Sequence, residues 1–345
     1  MLNIQQLKAD GYELVYHASN PDINFDSIIA VHSTALGPAL GGCRVMSYEN
    51  QDLALTDVLR LAEGMSLKNS IAGLNLGGGK AVIDLKGGPK TKEILEEFGE
   101  FVNFLGGKYL TAEDVGSTVA DMEIVRTKTP YVASLNGAGD PSPVTAYGVF
   151  RAIEATVMQL TSLHSLKDVK VAIQGLGKVG YDLAIRLHAE GAELYVSDVN
   201  PAAVAQIESL EGVTIVDNDK IHAVSCDIFA PCALGMVITK EKLPELQCLA
   251  ICGAANNQLM NPSIGKLLME TNILYAPDYV VNGGGVISIA GEIGAKYDRN
   301  VVLKQVDQIY DRLLQIYKVT KETNTPTNLV ADNLARERIN AVKGS

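Results

Sequence analysis

The stretch VKVAIQGLGKVG, from Val169 to Gly180, decides how this chain is read. Its first six residues place β-branched Val169, Val171 and Ile173 at alternate positions, as a strand does, and then break into Gly-x-Gly-x-x-Gly ahead of a helical pattern over 178–190. Gly175 and Gly177 allow a tight turn and a close backbone approach, and Gly180 lets the helix pack against the strand. A pyrophosphate placed there meets the N–H groups of Lys178 and Val179 at the helix N-terminus, where the dipole favours an anion. The next apolar run, Glu193–Ser197, ends at Asp198, 18 residues past Gly180. A carboxylate at that point accepts from the ribose hydroxyls of a dinucleotide and repels a 2′-phosphate, which predicts NAD rather than NADP as the cofactor. The glycine pattern alone would be an ordinary strand-to-helix turn; the acid's placement separates the two readings.

Working outward, a helix over 145–160 precedes this unit, and strands alternate with helices as far as about residue 287. That alternation predicts an α/β fold with a parallel, doubly wound sheet of Rossmann type, spanning residues 135–324. The loop formers of 136–143 mark a hinge. Residues 1–134 read as a mixed α/β substrate-binding and oligomerisation domain. It shows a strand over 25–31, a turn-rich loop over 36–42, and a helix over 53–65 capped by Asp52 and ending near Gly64. A glycine run then feeds a strand over 80–84, and a helix covers 91–105. The chain closes with helices over 301–320 and 328–342, and residues 325–345 are expected to return to the first domain.

Two domains also follow from size, since 345 residues exceed what one core holds and 47% are hydrophobic. A net charge of −11 gives no basic face for phosphate neutralisation, so nucleic acid is not expected as a partner. Lys8, Asp10, Glu13 and His17 interrupt the N-terminal apolar residues, which argues against a secretion signal, and no run reaches the ~18 apolar residues of a membrane span. A cytoplasmic protein is expected, with no membrane partner. Cys43, Cys226, Cys232, Cys248 and Cys252 are scattered without a C-x-x-C pair, so neither disulfides nor a metal site is expected.

Three further clusters bear on chemistry. Lys68 follows a helix and Lys80 follows three glycines. Each alone reads as a solvated surface lysine, but glycine flanks admit a lysine to a narrow space, where lost solvation and a second ammonium push its pKa down and make it a usable base. Glu113 and Asp114 end an apolar run, a pattern equally suited to a helix start. Asn256 and Asn282 follow late strands, beyond whose carboxyl ends ligands bind in such sheets.

Taken together, these residues resemble the glutamate/leucine/phenylalanine/valine dehydrogenase family over nearly the whole chain. The likeness runs through Leu36-Gly37-Pro38-Ala39-Leu40-Gly41-Gly42, Gly64-Met65-Ser66-Leu67-Lys68-Asn69 and Gly77-Gly78-Gly79-Lys80. It continues through Ala112-Glu113-Asp114-Val115-Gly116, Pro141-Ser142-Pro143-Val144-Thr145-Ala146, Ala230-Pro231-Cys232-Ala233-Leu234-Gly235, Ala255-Asn256-Asn257-Gln258-Leu259 and Ala276-Pro277-Asp278-Tyr279. The resemblance implies NAD-dependent, reversible oxidative deamination of an L-amino acid to its 2-oxo acid and ammonia, by a homo-oligomer with its active site in an interdomain cleft. It implies that Lys80 is the general base that activates water, that Asp114 shuttles protons to the amine, and that Lys68 binds the substrate carboxylate. Gly41, Gly42 and Met65 would line the same site, and Leu40, Ala112, Ala133, Val286 and Ile289 would form the side-chain pocket. Ser142, Thr145, Cys232, Ala233, Asn256 and Asn282 would contact the cofactor, beside the glycine turn and Asp198.

The pocket set is wholly apolar, which disfavours glutamate and points to a branched or other apolar amino acid, leucine first and valine and isoleucine next. Leucine-type members carry threonine at Ala133, valine at Ile289 and glycine at Met236, departures that shift the pocket outline and the loop near the adenine side. Three alternatives stand beside this reading: a phenylalanine- or tryptophan-type member of the same family; a non-catalytic dinucleotide-binding regulator, which would have no use for Lys68, Lys80 and Asp114 together; and a purely structural oligomer, which would leave both glycine-rich clusters unexplained.

Overall fold

The structure, a computed structural model, describes residues 1–133, 135, 137, 139–294 and 296–343. Contacts divide the chain into two compact units. One gathers Met1–Gly139, Ile289–Tyr297 and Leu334–Ser345; the other comprises Asp140–Ser288 and Asp298–Asn333. Of the hinge segment 136–143, Asn136 and Ala138 lie outside the described residues.

The first unit is built on β1 (Asn3–Leu7), β2 (Leu14–Asn20), β3 (Phe25–Ser33), β4 (Ala39–Met46), β5 (Gly77–Asp84) and β6 (Tyr109–Glu113). They form one sheet in the order β1-β2-β3-β5-β4-β6, antiparallel from β1 through β5 and parallel across β5, β4 and β6. Period-two alternation along β3 sends Ile28 and Ala30 to one core and Ile29 and Val31 to the other. Helix α1 (Gln51–Ile71) covers the first face with Ala54, Val58 and Ala62. Helices α2 (Lys92–Phe104) and α3 (Val119–Arg126) cover the second with Phe98, Phe101, Val102, Met122 and Val125. The C-terminal helix Thr327–Lys343 is tied to this unit where Ser70 Oγ donates to the Ala335 carbonyl (2.8 Å) and Arg338 Nη1 to the carbonyls of Ser70 (3.1 Å) and Leu74 (2.7 Å).

Two sequence expectations need correction. Helix α1 does not end near Gly64 but continues to Ile71, and its cap is Asn50, whose side chain accepts from Leu53 N, rather than Asp52. An exposed glycine costs a helix only about 1 kcal/mol, less than the burial of Ser66, Leu67, Asn69 and Ile71 just beyond it returns. Likewise Ala39–Gly42 is not loop but the start of β4, because glycines are what a strand needs when its neighbours press this closely.

The second unit carries β7 (Lys170–Gln174), β8 (Glu193–Ser197), β9 (Val213–Ile215), β10 (Cys226–Pro231), β11 (Cys248–Ile251) and β12 (Leu274–Tyr275). All are parallel, in the order β12-β11-β10-β7-β8-β9. The order reverses between β7 and β10, so the crevice beyond their carboxyl ends is the ligand-binding position of a doubly wound sheet. Helix α4 (Ser142–Thr161) precedes β7, and α5 (Lys178–Ala189) follows the glycine turn. The expected Rossmann-type α/β sheet is therefore present.

Candidate active site

Glycines make the first part of the site by letting three strands and a helix approach at backbone distance. A Cβ on Gly41 would stand 1.8 Å from the Gly79 carbonyl oxygen, and one on Gly78 would stand 2.0 Å from Ser66 N of α1. Asn69 fastens that helix to the strands, donating from Nδ2 to the Gly77 carbonyl at 2.6 Å. Met65 packs over Gly41, its Cγ 3.4 Å from where a Cβ would sit, and Lys68 lies three residues on, along the same helix face and half-buried. Buried Tyr109 holds the other side, its hydroxyl donating to the Gly41 carbonyl at 2.6 Å.

Within this frame Lys80 is only 5% exposed on β5. Its Nζ lies 3.0 Å from Asp114 Oδ2, just past the end of β6. Gly42 makes room for that carboxylate: a Cβ there would come within 2.9 Å of Asp114 Cβ. Burial pulls the Lys80 ammonium below its ordinary range and the Arg44 charge pulls the same way, while Asp114 opposes both. Sequence reasoning does not single out Arg44, yet its Nε donates to the same Asp114 Oδ2 at 3.2 Å and its Nη1 to Asp57 Oδ2 at 2.9 Å. The only signal for it is its place two residues after Gly42.

Three of the expected pocket positions belong to the sheet that carries this pair or lie along its edge. Leu40 is paired with Gly78 and Leu110, and Ala112 with Gly42. Ala133 N donates to the Thr111 carbonyl at 2.7 Å, laying its segment along β6 next to Ala112. All three are buried. Val286 is buried within the second unit, whereas Ile289, half-buried, belongs to the first.

In the second unit Gly175 takes φ +99°, and a Cβ there would meet Ala233 Cβ at 2.7 Å. Cys232 N donates to the Gln174 carbonyl at 2.7 Å, so the Cys232-Ala233 segment backs the turn. Burial pushes the Cys232 thiol up to about 12, leaving it a neutral packing group. Gly180 closes on the turn from α5, its absent Cβ only 2.0 Å from the Gly175 carbonyl oxygen. Gly177, by contrast, faces open space, with no atom within 4 Å of a Cβ, and no side chain among the described residues caps α5. Asp198 sits half-buried beyond β8; Oδ2 accepts from Leu176 N at 2.6 Å and Oδ1 from Asn200 N at 2.7 Å.

An open glycine over uncapped helix N–H groups, with a carboxylate fastened alongside, fits a dinucleotide's pyrophosphate and ribose. Asn282 Nδ2 donates to Asn256 Oδ1 at 2.8 Å and to the Ala254 carbonyl at 3.0 Å, which brings the two asparagines together. Ser142 begins α4, with Thr145 Oγ1 on the Pro141 carbonyl at 3.0 Å. Met236 holds φ +57°, a left-handed backbone that glycine would adopt freely, and its side chain is exposed.

Comparison with known proteins identifies the family. Residues 16–131 match the profile described as Glu/Leu/Phe/Val dehydrogenase, dimerisation domain, and residues 197–342 match Glutamate/Leucine/Phenylalanine/Valine dehydrogenase. The chain is 45% identical over 339 residues to leucine dehydrogenase of Geobacillus stearothermophilus, covering 96% of this chain and 92% of that one. It is 40% identical over 340 residues to phenylalanine dehydrogenase of Caldalkalibacillus thermarum, covering 95% and 91%. The crystal structure of L-tryptophan dehydrogenase from Nostoc punctiforme superposes with a TM-score of 0.89 at 42% identity, over 97% of this chain and 98% of that one. The chain belongs to the glutamate/leucine/phenylalanine/valine dehydrogenase family and is an NAD-dependent amino-acid dehydrogenase.

Proposed function

We propose that the protein interconverts a branched-chain or similar apolar L-amino acid, leucine first, with its 2-oxo acid and ammonia. The observation that carries this reading is the pair of buried Lys80 and half-buried Asp114, 3.0 Å apart among the glycines of β4 and β5, on the sheet that also carries the apolar Leu40 and Ala112. NAD, when bound, supplies the hydride acceptor that takes the substrate's amine carbon to the imine level. Lys80, its ammonium destabilised by burial, takes a proton from the water that attacks that carbon. Asp114 moves protons at the substrate nitrogen, so that ammonia can leave, and Lys68 orients the substrate carboxylate through its charge. Gly175, Gly177 and Gly180 would hold the pyrophosphate at the start of α5 and Asp198 the ribose, with Ser142, Thr145, Cys232, Ala233, Asn256 and Asn282 completing the cofactor's surroundings.

A second reading, an aromatic substrate, is favoured by the two small side chains at Ala112 and Ala133 and by the likeness to the tryptophan and phenylalanine dehydrogenases. Assembly into a homo-oligomer is supported by the dimerisation-domain profile over residues 16–131. The test is NADH oxidation with ammonia and 4-methyl-2-oxopentanoate, 3-methyl-2-oxobutanoate, phenylpyruvate, indolepyruvate or 2-oxoglutarate, beside a Lys80→Ala variant. Fastest turnover with the branched acids, cut ~10²–10⁴-fold in the variant, is the expected result. Fastest turnover with an aromatic acid favours the second reading. NADH binding without turnover of any acid would refute both and leave a dinucleotide-binding regulator.

A further inference from the structure

Resting on the assignment of Lys80 and Asp114 above, we propose that Arg44 is a positioning residue. Anchored on Asp57, it fixes Asp114 so that one carboxylate oxygen serves Lys80 and the other is left to exchange a proton with the substrate nitrogen. Lys80 Nζ at 3.0 Å and Arg44 Nε at 3.2 Å both fall on Oδ2 of Asp114. On this proposal that convergence leaves Oδ1 for the substrate nitrogen.

The anchor behind Arg44 is itself built. Asp57 on α1 takes Arg44 Nη1 on Oδ2 at 2.9 Å, the Tyr48 hydroxyl on the same oxygen at 2.9 Å, and Arg60 Nη2 on Oδ1 at 2.9 Å. Arg44, Asp57 and Asp114 are each less than a quarter exposed, so water screens these contacts weakly. The relay thus runs from α1 through β4 to the end of β6.

The chemistry of the two cations divides the work. Lys80 must lose and regain a proton, and each loss removes its pull on Asp114. Arg44 cannot take part in that exchange, because a guanidinium keeps its proton throughout the usable pH range. Burial works against its charge here, but Asp114 and Asp57 more than offset this and hold its proton still more firmly. Asp114 therefore keeps one place whether Lys80 is charged or neutral.

The test uses Arg44→Gln, Arg44→Lys and Asp57→Asn, with Arg44→Gln also combined with Asp114→Asn, measuring kcat, KM, NADH binding and the pH profile of kcat. Arg44→Gln is expected to lower kcat about 10–100-fold, as loss of a group that orients a reacting residue does, with a smaller change in KM and NADH binding unchanged. Arg44→Lys should recover part of the loss. The groups whose charge bears on Lys80 are Asp114, Arg44 and Cys43, with Asp57, Tyr48 and Arg60 behind Arg44. Removing the Arg44 charge should therefore move the acidic limb of amino-acid oxidation to higher pH. In the Asp114→Asn background, Arg44→Gln should lower the plateau kcat of the pH profile no further.

Wild-type kcat in Arg44→Gln, an unmoved acidic limb, or the same fold loss with and without Asp114 overturns the proposal. If Arg44→Gln does not fold, Asp57→Asn, which loosens Arg44 but leaves its charge, carries the test: a smaller kcat loss with KM and NADH binding little changed supports it, and wild-type kcat overturns it. Full activity in Asp114→Asn overturns the assignment of Asp114 and the proposal with it. Loss there beside wild-type kcat in Arg44→Gln overturns the positioning role alone.

Discussion

Replacing Gly180 by alanine should weaken NADH binding through the protein's own packing, whereas the same change at Gly177 should do so only through the ligand. In α5 an alanine is worth up to ~1 kcal/mol over glycine by helix propensity. Against this, the new Cβ would lie 2.0 Å from the Gly175 carbonyl oxygen and 3.2 Å from Cys232 Cβ. Non-bonded contacts to carbon settle near ~3.5 Å, so the first turn of the helix and the glycine turn must part by about 1 Å or more, and such overpacking costs roughly 1–3 kcal/mol. The clash wins, and the melting temperature should fall by several degrees.

That 1 Å displacement also carries the helix N–H groups from a hydrogen-bonding distance of ~2.9 Å to one near ~3.9 Å, where no bond is made. Each lost bond to a charged group is worth ~1.5–3 kcal/mol, which is about 10–150-fold in NADH Kd. Fluorescence titration with NADH and a thermal melt of both variants measure the two effects. Gly177→Ala, with no atom within 4 Å of its Cβ, should melt as the wild type does and still bind NADH poorly. A Gly180→Ala protein with wild-type melting and NADH affinity within threefold of normal would refute the packing argument.

Asp198→Asn keeps an acceptor for Leu176 N or Asn200 N but removes the negative charge, so the preference for NADH over NADPH in kcat/KM should fall about tenfold or more, equivalent to ~1.4 kcal/mol; an unchanged ratio would mean the carboxylate does not exclude the 2′-phosphate. Burial lowers Lys80 from its ordinary value near 10.5, so in the window between its folded and unfolded values the unfolded chain holds more protons and stability from this residue rises with pH. Urea unfolding at pH 7 and 9.5 should therefore show the wild type gaining on Lys80→Met as pH rises, and parallel changes would contradict the burial assignment. Ala133→Leu should cut turnover of phenylpyruvate more than that of 3-methyl-2-oxobutanoate, by about 10-fold or more at ~1–3 kcal/mol per misfitted methylene, and equal losses would remove Ala133 from the pocket.

The second unit is the more legible because its signals are local. The strand, the glycine turn, α5 and Asp198 follow one another within thirty residues of chain, and each is tied to the next by short-range steric rules; Glu193–Ser197 appears with the bounds expected from its pattern. The first unit is less so. Gly41 and Gly42 read as a turn, since glycine most often marks one, and only the neighbouring strands reveal the opposite use: room for Gly79 and for Asp114 inside a sheet. Gly64 misleads in the same way, because the packing that carries α1 to Ile71 lies on β5, the next strand, and not in the helix's own pattern.

The same distinction separates Lys80 and Asp114 from Arg44. A lysine after three glycines carries its own hint of confinement. An arginine on a strand carries none, and its partners come from α1, thirteen residues ahead, and from Asp114, seventy residues ahead. What joins them is the parallel register of β4 with β6, in which Gly42 lies opposite Ala112 and Cys43 opposite Glu113, so that the next residue on each strand brings Arg44 to Asp114. A slip of β6 by one residue would turn Asp114 away from Arg44 and break the contact, so the charge relay depends on the same glycine-rich packing that holds β4 between β5 and β6. Substitutions that disturb that packing, such as Gly42→Ala with its Cβ 2.4 Å from the Glu113 carbonyl oxygen, should then impair catalysis through Asp114 even though glycine itself offers no chemistry.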